Sequence, residues 1–66
     1  MQLLTRKLRL SEGKYYLSLV ETRFRKVNEK VKILYIEHKN VGFENESGIF
    51  AEAVRVKFLK TIKEII

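Results

Sequence analysis

The stretch GKYYLSLVETRFRKVNEKVKILYI, residues 13–36, decides the fold. Its first half, Lys14–Phe24, is rich in aromatic and β-branched residues and lacks a 3.6-residue apolar period, which predicts a β-strand. The odd positions of this strand are apolar at first and then charged, whereas the even positions mix aromatic, hydroxyl and aliphatic side chains. The even face is too apolar for simple exposure and too polar for a dry core, which is typical of a binding surface.

Two further strands are predicted around this one. Leu3–Leu10 alternates between apolar and polar residues except at Arg6, which favours a strand, with a helix as the rival interpretation. Residues 11–13 would then form a three-residue hairpin loop with glycine at the left-handed position. Val31–His38 is apolar on both faces, which is typical of a central strand covered on both sides.

The C-terminal half predicts a helix. Residues 40–48 break the apolar pattern, which indicates a loop, either alone or around a short strand at Val41–Phe43. From Ser47, a suitable N-cap, one helix is predicted to the end of the chain. Its apolar stripe consists of Phe50, Val54, Phe58, Ile62 and Ile65. Because Ala53–Phe58 alternates, a strand beginning there is the rival interpretation.

These elements predict a single α+β domain over residues 1–66. Its architecture would be an antiparallel three- to four-stranded sheet followed by one C-terminal amphipathic helix. A chain of 66 residues buries only about 60% of its unfolded surface, and its 45% hydrophobic content allows a shared core, so we expect a homodimer. The expected dimer interface consists of Leu34, Ile36, Phe58, Ile62 and Ile65.

Composition also limits the classes of function. The absence of cysteine excludes disulfides, and a single histidine argues against structural zinc. No apolar run approaches the roughly 20 residues of a membrane span, and residues at the N-terminus lack the apolar segment of a signal peptide, so we expect a soluble, cytoplasmic protein, with nucleoid association as one option. Glu37, His38, Glu44 and Glu46 form no catalytic or metal-binding motif, so we expect no enzyme activity, cofactor or metal.

The excess positive charge that gives the net charge of +6 lies entirely in the first half of the chain. Residues 1–32 carry nine Lys or Arg against three Glu, whereas residues 33–66 carry five bases and five acids. This asymmetry predicts a basic surface and a polyanionic partner. With aromatic side chains beside it, such a surface favours single-stranded nucleic acid, because each stacked base contributes about 1–3 kcal/mol. The candidate binding residues are Lys7, Arg9, Tyr16, Ser18, Thr22, Arg23, Phe24, Arg25 and Lys26.

Two alternatives concern the aromatic side chains on the even face of the predicted strand Lys14–Phe24. Taken singly, a large apolar side chain more often packs in a core or a subunit interface than it contacts a ligand. The register of the strand also matters, because a one-residue shift exchanges its two faces. If the helix covers the even face, Tyr15 and Leu17 become the exposed set.

The segment GKYYLSLVETRF, residues 13–24, resembles the second strand of PUR repeats, which occur in purine-rich-element-binding proteins and small bacterial relatives. The matching residues are Gly13, Tyr15, Tyr16, Leu17, Leu19, Val20 and Glu21. More loosely, the layout is similar to the sheet-then-helix superfamily that includes the whirly proteins and the positive-cofactor transcriptional coactivators. The resemblance implies dimers or paired repeats whose curved sheets bind single-stranded DNA or RNA, with Tyr16, Ser18, Thr22 and Arg23 on the binding strand. The acidic segment 40–48 departs from the pattern.

The sequence therefore favours non-catalytic binding of single-stranded nucleic acid, DNA before RNA, by a homodimer with no small-molecule substrate. The alternative is a small protein-interaction or regulatory module, of a kind found in viruses, plasmids or mobile elements, whose apolar sheet face is a protein interface. Duplex binding through a strand in the major groove is a third interpretation.

Overall fold

The computed structural model describes residues 9–65 of the chain. Within this range it has β1 (Tyr15–Ser18), β2 (Lys30–Ile36), β3 (Asn40–Glu44), β4 (Phe50–Val54), α1 (Arg55–Leu59) and β5 (Ile62–Glu64). The strands form one antiparallel sheet in the order β4-β3-β2-β1-β5. The prediction of an antiparallel sheet with one helix is confirmed, but the sheet has five strands and the helix is short. No helix in this range is long and apolar enough to cross a membrane.

The chain enters β1 through a tight turn. The backbone N–H of Lys14 donates to the carbonyl of Ser11 at 3.2 Å, and Gly13 has a φ of +82°, a conformation that favours glycine. The predicted left-handed glycine is therefore confirmed. The predicted strand Leu3–Leu10 lies outside the described residues up to position 8, and residues 9 and 10 belong to no strand.

β1 is much shorter than the predicted strand Lys14–Phe24. It ends at Ser18, whose hydroxyl donates to the Val20 carbonyl at 2.7 Å and accepts a longer bond from the Val20 N–H. This local hydrogen bonding competes with the sheet ladder and turns the chain away from it. The even positions beyond Ser18 therefore do not extend a sheet face.

β2 is an internal strand between β1 and β3, as the sequence predicted. The expectation that both of its faces are covered is wrong for the described residues, because the core lies on one face and Tyr35 is 37% exposed on the other. Its register with β3 shifts between Ile33, which pairs with Phe43, and Tyr35, which pairs with Gly42. Leu34 is therefore an extra residue in a β-bulge. The bulge returns Ile36 to the side of the core, and this explains why apolar residues occur in succession along this strand.

A row of side chains crosses three strands on the face opposite the core. The ring of Tyr35 lies directly over Gly42, where a Cβ atom would overlap it. The Tyr35 hydroxyl then donates to the carboxylate of Glu52 on β4 at 2.5 Å. This hydrogen bond raises the pKa of the Tyr35 phenol. Tyr35 thus fills the space above the glycine and links β2 to β4.

The short strand predicted at Val41–Phe43 is confirmed, and it extends over the whole of β3. A tight loop then leads into β4. The side-chain oxygen of Asn45 accepts hydrogen bonds from the N–H groups of Ser47 at 2.9 Å and Ile49 at 3.0 Å, and Gly48 has a φ of +82°. Ser47 is thus a turn residue and no helix N-cap.

The prediction of one helix from Ser47 to the end is wrong. β4 precedes the helix, and its small residues Ala51 and Ala53 pair with Phe43 and Val41 and pack against the core. The helix α1 has only five residues. The rival strand over Ala53–Phe58 is also wrong beyond position 54. The physical reason is that the turn after β3 reverses the chain into a hairpin, so residues 50–54 pair with β3 and the two alanines pack against the core.

The core lies on one face of the sheet. Its buried side chains are Tyr16, Val31, Ile33, Val41, Phe43, Phe58 and Ile62. The ring of Phe58 from α1 stacks on that of Phe43, with centroids 5.2 Å apart and an interplanar angle of 29°. The assignment of Phe58 and Ile62 to a dimer interface is therefore wrong, because both side chains fill the core of their own chain.

The other three predicted interface residues remain partly or largely accessible to solvent. Leu34 and Ile36 are half-buried, and Ile65 is exposed. Their part in a dimer stays a prediction.

The substitution Gly42→Ala should lower the free energy of unfolding by about 1 kcal/mol, because the new methyl group displaces the Tyr35 ring and breaks its bond to Glu52. Urea denaturation measures the loss. The matched comparison is Gly42→Ala in a Tyr35→Ala background, where the ring is gone and the cost should largely disappear. Equal costs in both backgrounds would contradict the contact.

Candidate nucleic-acid interface

The outer face of the sheet, opposite the core, carries a compact group of basic and aromatic residues. Tyr15 of β1 is 50% exposed and pairs with Lys32 of β2. Leu17 pairs with Lys30 on one side and with Lys63 of β5 on the other. Because paired residues point to the same side of a sheet, these five side chains share one surface, which we call the outer basic face. These five side chains carry three ammonium groups, and Glu44 of β3, which pairs with Lys32, places a carboxylate at their border.

The aromatic ring of this face remains available to a ligand. The ammonium of Lys32 lies 6.0 Å from the centroid of the Tyr15 ring, at the outer limit of a cation–π contact. Such a distant contact at an exposed site is weak and readily displaced. The outer basic face therefore presents an aromatic surface inside a positive field.

A groove of about 280 Å³ opens beside Tyr15. One wall is formed by Lys30 and Lys32, and the other by residues 44–46 and Gly48 of the β3–β4 hairpin. Small-molecule sites typically measure about 300–1,000 Å³, so this groove lies just below that range. Its size suits one planar ring better than an extended cofactor.

Hydrogen bonds fix the far wall of the groove. The N–H of Lys30 donates to the carboxylate of Glu46 at 3.2 Å, and the N–H of Glu46 donates to that of Glu29 at 3.0 Å. The side-chain amide of Asn45 donates to the carbonyl of Phe24 at 2.8 Å. The β3–β4 turn and the β1–β2 loop are therefore tied together, and the groove has a defined shape.

Two candidates from the sequence lie in the core. Tyr16 is fully buried, and its hydroxyl donates to the carbonyl of Arg9 and accepts from the N–H of Ser11, both at 3.0 Å. Ser18 is also fully buried. The prediction that these even positions form the open binding face is wrong, because the pleat of β1 turns them towards the core. The alternative register, with Tyr15 outward and Leu17 half-exposed beside it, is the observed one.

Arg25 is a core residue as well. It is only 6% exposed, and its guanidinium carbon lies 4.9 Å from the ring centroid of Phe58 and 5.5 Å from that of Phe43. Its Nη2 donates to the hydroxyl of Thr61 at 3.0 Å, whereas Nη1 has no hydrogen-bond partner among the described residues. Burial lowers the pKa of this guanidinium. The prediction that Arg25 lies on an accessible phosphate-binding surface is wrong.

The other candidates lie away from the sheet. Thr22, Arg23, Phe24 and Lys26 are exposed in the loop between β1 and β2, where the Thr22 hydroxyl accepts from the Phe24 N–H at 3.1 Å. Arg9 is exposed just ahead of the first turn. Lys7 lies outside the described residues. Contacts of these residues with nucleic acid stay predictions.

Sequence reasoning did not select the residues of the outer basic face. Tyr15 was named only in the alternative register. Lys30 and Lys32 alternate at the start of a predicted strand, which is a usable signal because alternate residues share a face. Lys63 gave no such signal, since its neighbours were assigned to a helix.

The acidic residues and the histidine show no metal-binding arrangement. Within the described range, no three His, Cys, Asp or Glu side chains lie close enough together to hold a metal ion. His38 is exposed in the turn between β2 and β3. Glu44 and Glu46 line the groove, as described above.

No protein-family model, curated protein or solved structure matches this chain. The resemblance of residues 13–24 to PUR repeats therefore stays a prediction. The geometry and the charge of the outer basic face are the features that point to a function.

The buried position of Arg25 predicts different results for two substitutions. Arg25→Ala should lower the free energy of unfolding by about 2–4 kcal/mol, because it leaves a cavity beside the two phenylalanine rings. Arg25→Met keeps most of the volume and removes a buried charge, so its effect should stay within about 1 kcal/mol. Urea denaturation compares them. Equal losses for both would show that the charge, and not the packing, stabilises the fold.

Proposed function

We propose that this chain binds single-stranded nucleic acid, without catalysis, through its outer basic face. The observation that supports this proposal is the half-exposed ring of Tyr15 on a surface that also carries Lys30, Lys32 and Lys63. Single strands bind surfaces of this kind by stacking bases on aromatic rings and by placing phosphates near cationic side chains. The chain's net charge of +6 further attracts a polyanion.

The charge around the groove suggests how a strand lies. Glu44 and Glu46 repel phosphates from the hairpin side, so the backbone passes over Lys30 and Lys63 on the opposite side. A base stacked on Tyr15 then points into the groove. There the carboxylates can accept hydrogen bonds from exocyclic amino groups, as Asp and Glu do with cytosine.

A single strand suits this surface better than a duplex does. In a duplex the flat faces of the bases are covered by their neighbours, so a ring lying on a sheet surface cannot stack on them. The bases of a flexible single strand can turn outward. The proposal therefore requires a preference for single strands that is independent of net charge.

Fluorescence anisotropy tests this preference. A labelled strand of about 20 nucleotides is compared as DNA, as RNA and as a duplex, each at low and at near-physiological salt. Stronger binding of either single strand at the higher salt supports the proposal. Weak and equal binding that disappears with salt would overturn it and direct attention to a protein partner.

The substitution Tyr15→Ala should weaken single-strand binding about 5- to 150-fold, because it removes about 1–3 kcal/mol of base stacking. The dependence on salt should not change, since no charge is lost. Tyr15→Phe keeps the ring and should bind like the unmodified chain. Phe50→Ala, which removes an exposed ring elsewhere on the sheet, is the matched control. A loss with Phe50→Ala equal to that with Tyr15→Ala would contradict the assignment.

Charge removal is the complementary test. Replacing Lys30, Lys32 and Lys63 together by Gln should reduce the slope of log affinity against log salt by about 2, because each phosphate contact on a single strand contributes about 0.7. The control replaces the exposed Lys39, Lys57 and Lys60 by Gln, an equal change in net charge. If both triple variants change the slope equally, binding depends on net charge and not on this face.

A further inference from the structure

β4 is an edge strand whose free side can be deduced from its pairing with β3. Beyond the two ends of this ladder, Asn45 N–H donates to the Ile49 carbonyl and Arg55 N–H to the Lys39 carbonyl, at 3.0 and 2.7 Å. In an antiparallel ladder, hydrogen-bonded residue pairs alternate with pairs that are not hydrogen-bonded. Counting inward from these two bonds, the residues of β4 that bond to β3 are Ala51 and Ala53. The backbone groups of Phe50 and Glu52, and the N–H of Val54, consequently point away from the sheet.

The side chains of these same residues form a distinct pattern on the outer face. Phe50 is 68% exposed and Val54 is 48% exposed, with the carboxylate of Glu52 between them. An edge with exposed apolar side chains and free backbone groups is a template for another strand. The pattern is apolar, acidic, apolar at alternate positions, so a matching strand would be apolar, basic, apolar.

A second copy of β4 does not match. Antiparallel pairing centred on this strand uses the most free backbone groups, but it places Glu52 opposite Glu52 of the other copy. Like charges directly opposite each other destabilise a strand pair. The central acid therefore acts against self-pairing of this edge and selects for a basic partner strand.

The sequence of this chain contains the matching pattern in residues 4–8, where Leu4, Arg6 and Leu8 occupy alternate positions. These residues precede the described range, and only their sequence supports the match. One other base, Lys60, has apolar residues two positions away on both sides, but its neighbours Phe58 and Ile62 are buried in the core. Residues 4–8 are therefore the available match.

We propose that the free edge of β4 binds residues 4–8 of a second copy of this chain as an added antiparallel strand. In this pairing Arg6 lies opposite Glu52, and the two leucines lie opposite Phe50 and Val54. Arg6, which interrupts the apolar side of this segment, thereby becomes the partner of the acid on the edge. The added strand comes from a second copy of the chain. The Tyr16 hydroxyl on β1 holds the Arg9 carbonyl at 3.0 Å, and β2 and β3 separate β1 from β4, so the segment directly ahead of Arg9 cannot reach the free edge of its own sheet. The proposal is independent of nucleic-acid binding.

Hydrogen exchange measured by NMR on the full chain tests the pairing. The N–H groups of Phe50, Glu52 and Val54 should be protected if a strand covers the edge, although they have no partner within the described sheet. Arg6→Glu should accelerate their exchange by at least about tenfold, while the amides of Ala51 and Ala53 keep their protection. The double variant Arg6→Glu/Glu52→Lys should restore the protection.

The matched controls are Lys7→Glu and Arg9→Glu. They make the same change in charge at odd-numbered positions, which in a strand face the side opposite to that of Arg6. They should leave the exchange at the edge unchanged. Rapid exchange of the three edge amides in the unmodified chain would overturn the proposal and leave the edge open to another protein. Equal acceleration by Lys7→Glu and Arg6→Glu would overturn it too. Light scattering should show a dimer that Arg6→Glu weakens, and a monomer at the concentration of the exchange measurement would overturn the proposal.

Discussion

The domain depends on the stacking of Phe58 on Phe43. An isolated helix of five residues is far too short to persist in water, so α1 exists because the Phe58 side chain enters the core. The chain reverses immediately after this contact and returns to pair with β1. There the Leu19 N–H donates to the Thr61 carbonyl at 2.7 Å. One aromatic contact thus positions both the helix and the last strand.

The same core determines which face of β1 is exposed. Tyr16 fills the space beside the buried aliphatic residues, and its hydroxyl is satisfied by backbone groups ahead of the strand. Because side chains alternate along a strand, this choice places Tyr15 and Leu17 on the outer face. The surface proposed to bind nucleic acid is therefore a consequence of packing on the other side of the sheet.

The parts of the fold that the sequence predicted depend on local signals. The glycine at position 13, the apolar run of β2 and the short strand in residues 41–43 could each be recognised within a few residues. The strand–helix–strand arrangement of β4, α1 and β5 could not be recognised in this way. The apolar residues of this segment have helical spacing, whereas the preceding turn favours a hairpin. Such a conflict is decided by tertiary contacts, here those of Ala51 and Ala53 with β3.

The sequence predicted a surface on which aromatic and basic residues lie together, but it assigned that surface to the wrong residues. Aromatic and basic residues do share a surface, but the chosen tyrosine was one position away from the exposed one. Arg25 was assigned to the binding surface on the basis of its charge alone. Its planar guanidinium instead packs on Phe43 and Phe58, a placement that requires both rings to be brought together by the fold. No local pattern in the sequence contains that information.

The two edges of the sheet differ in a way that relates the two proposals. β5 is short and charged, and Glu64 forms an exposed ion pair with Lys14 at 3.8 Å, features that discourage strand addition. β4 has an apolar edge, so growth of the sheet is favoured on that side alone. On the outer face Phe50 lies opposite Glu44, at the acidic side of the groove. A strand added at β4 would therefore extend the face beyond its acidic wall and leave the lysines around Tyr15 accessible.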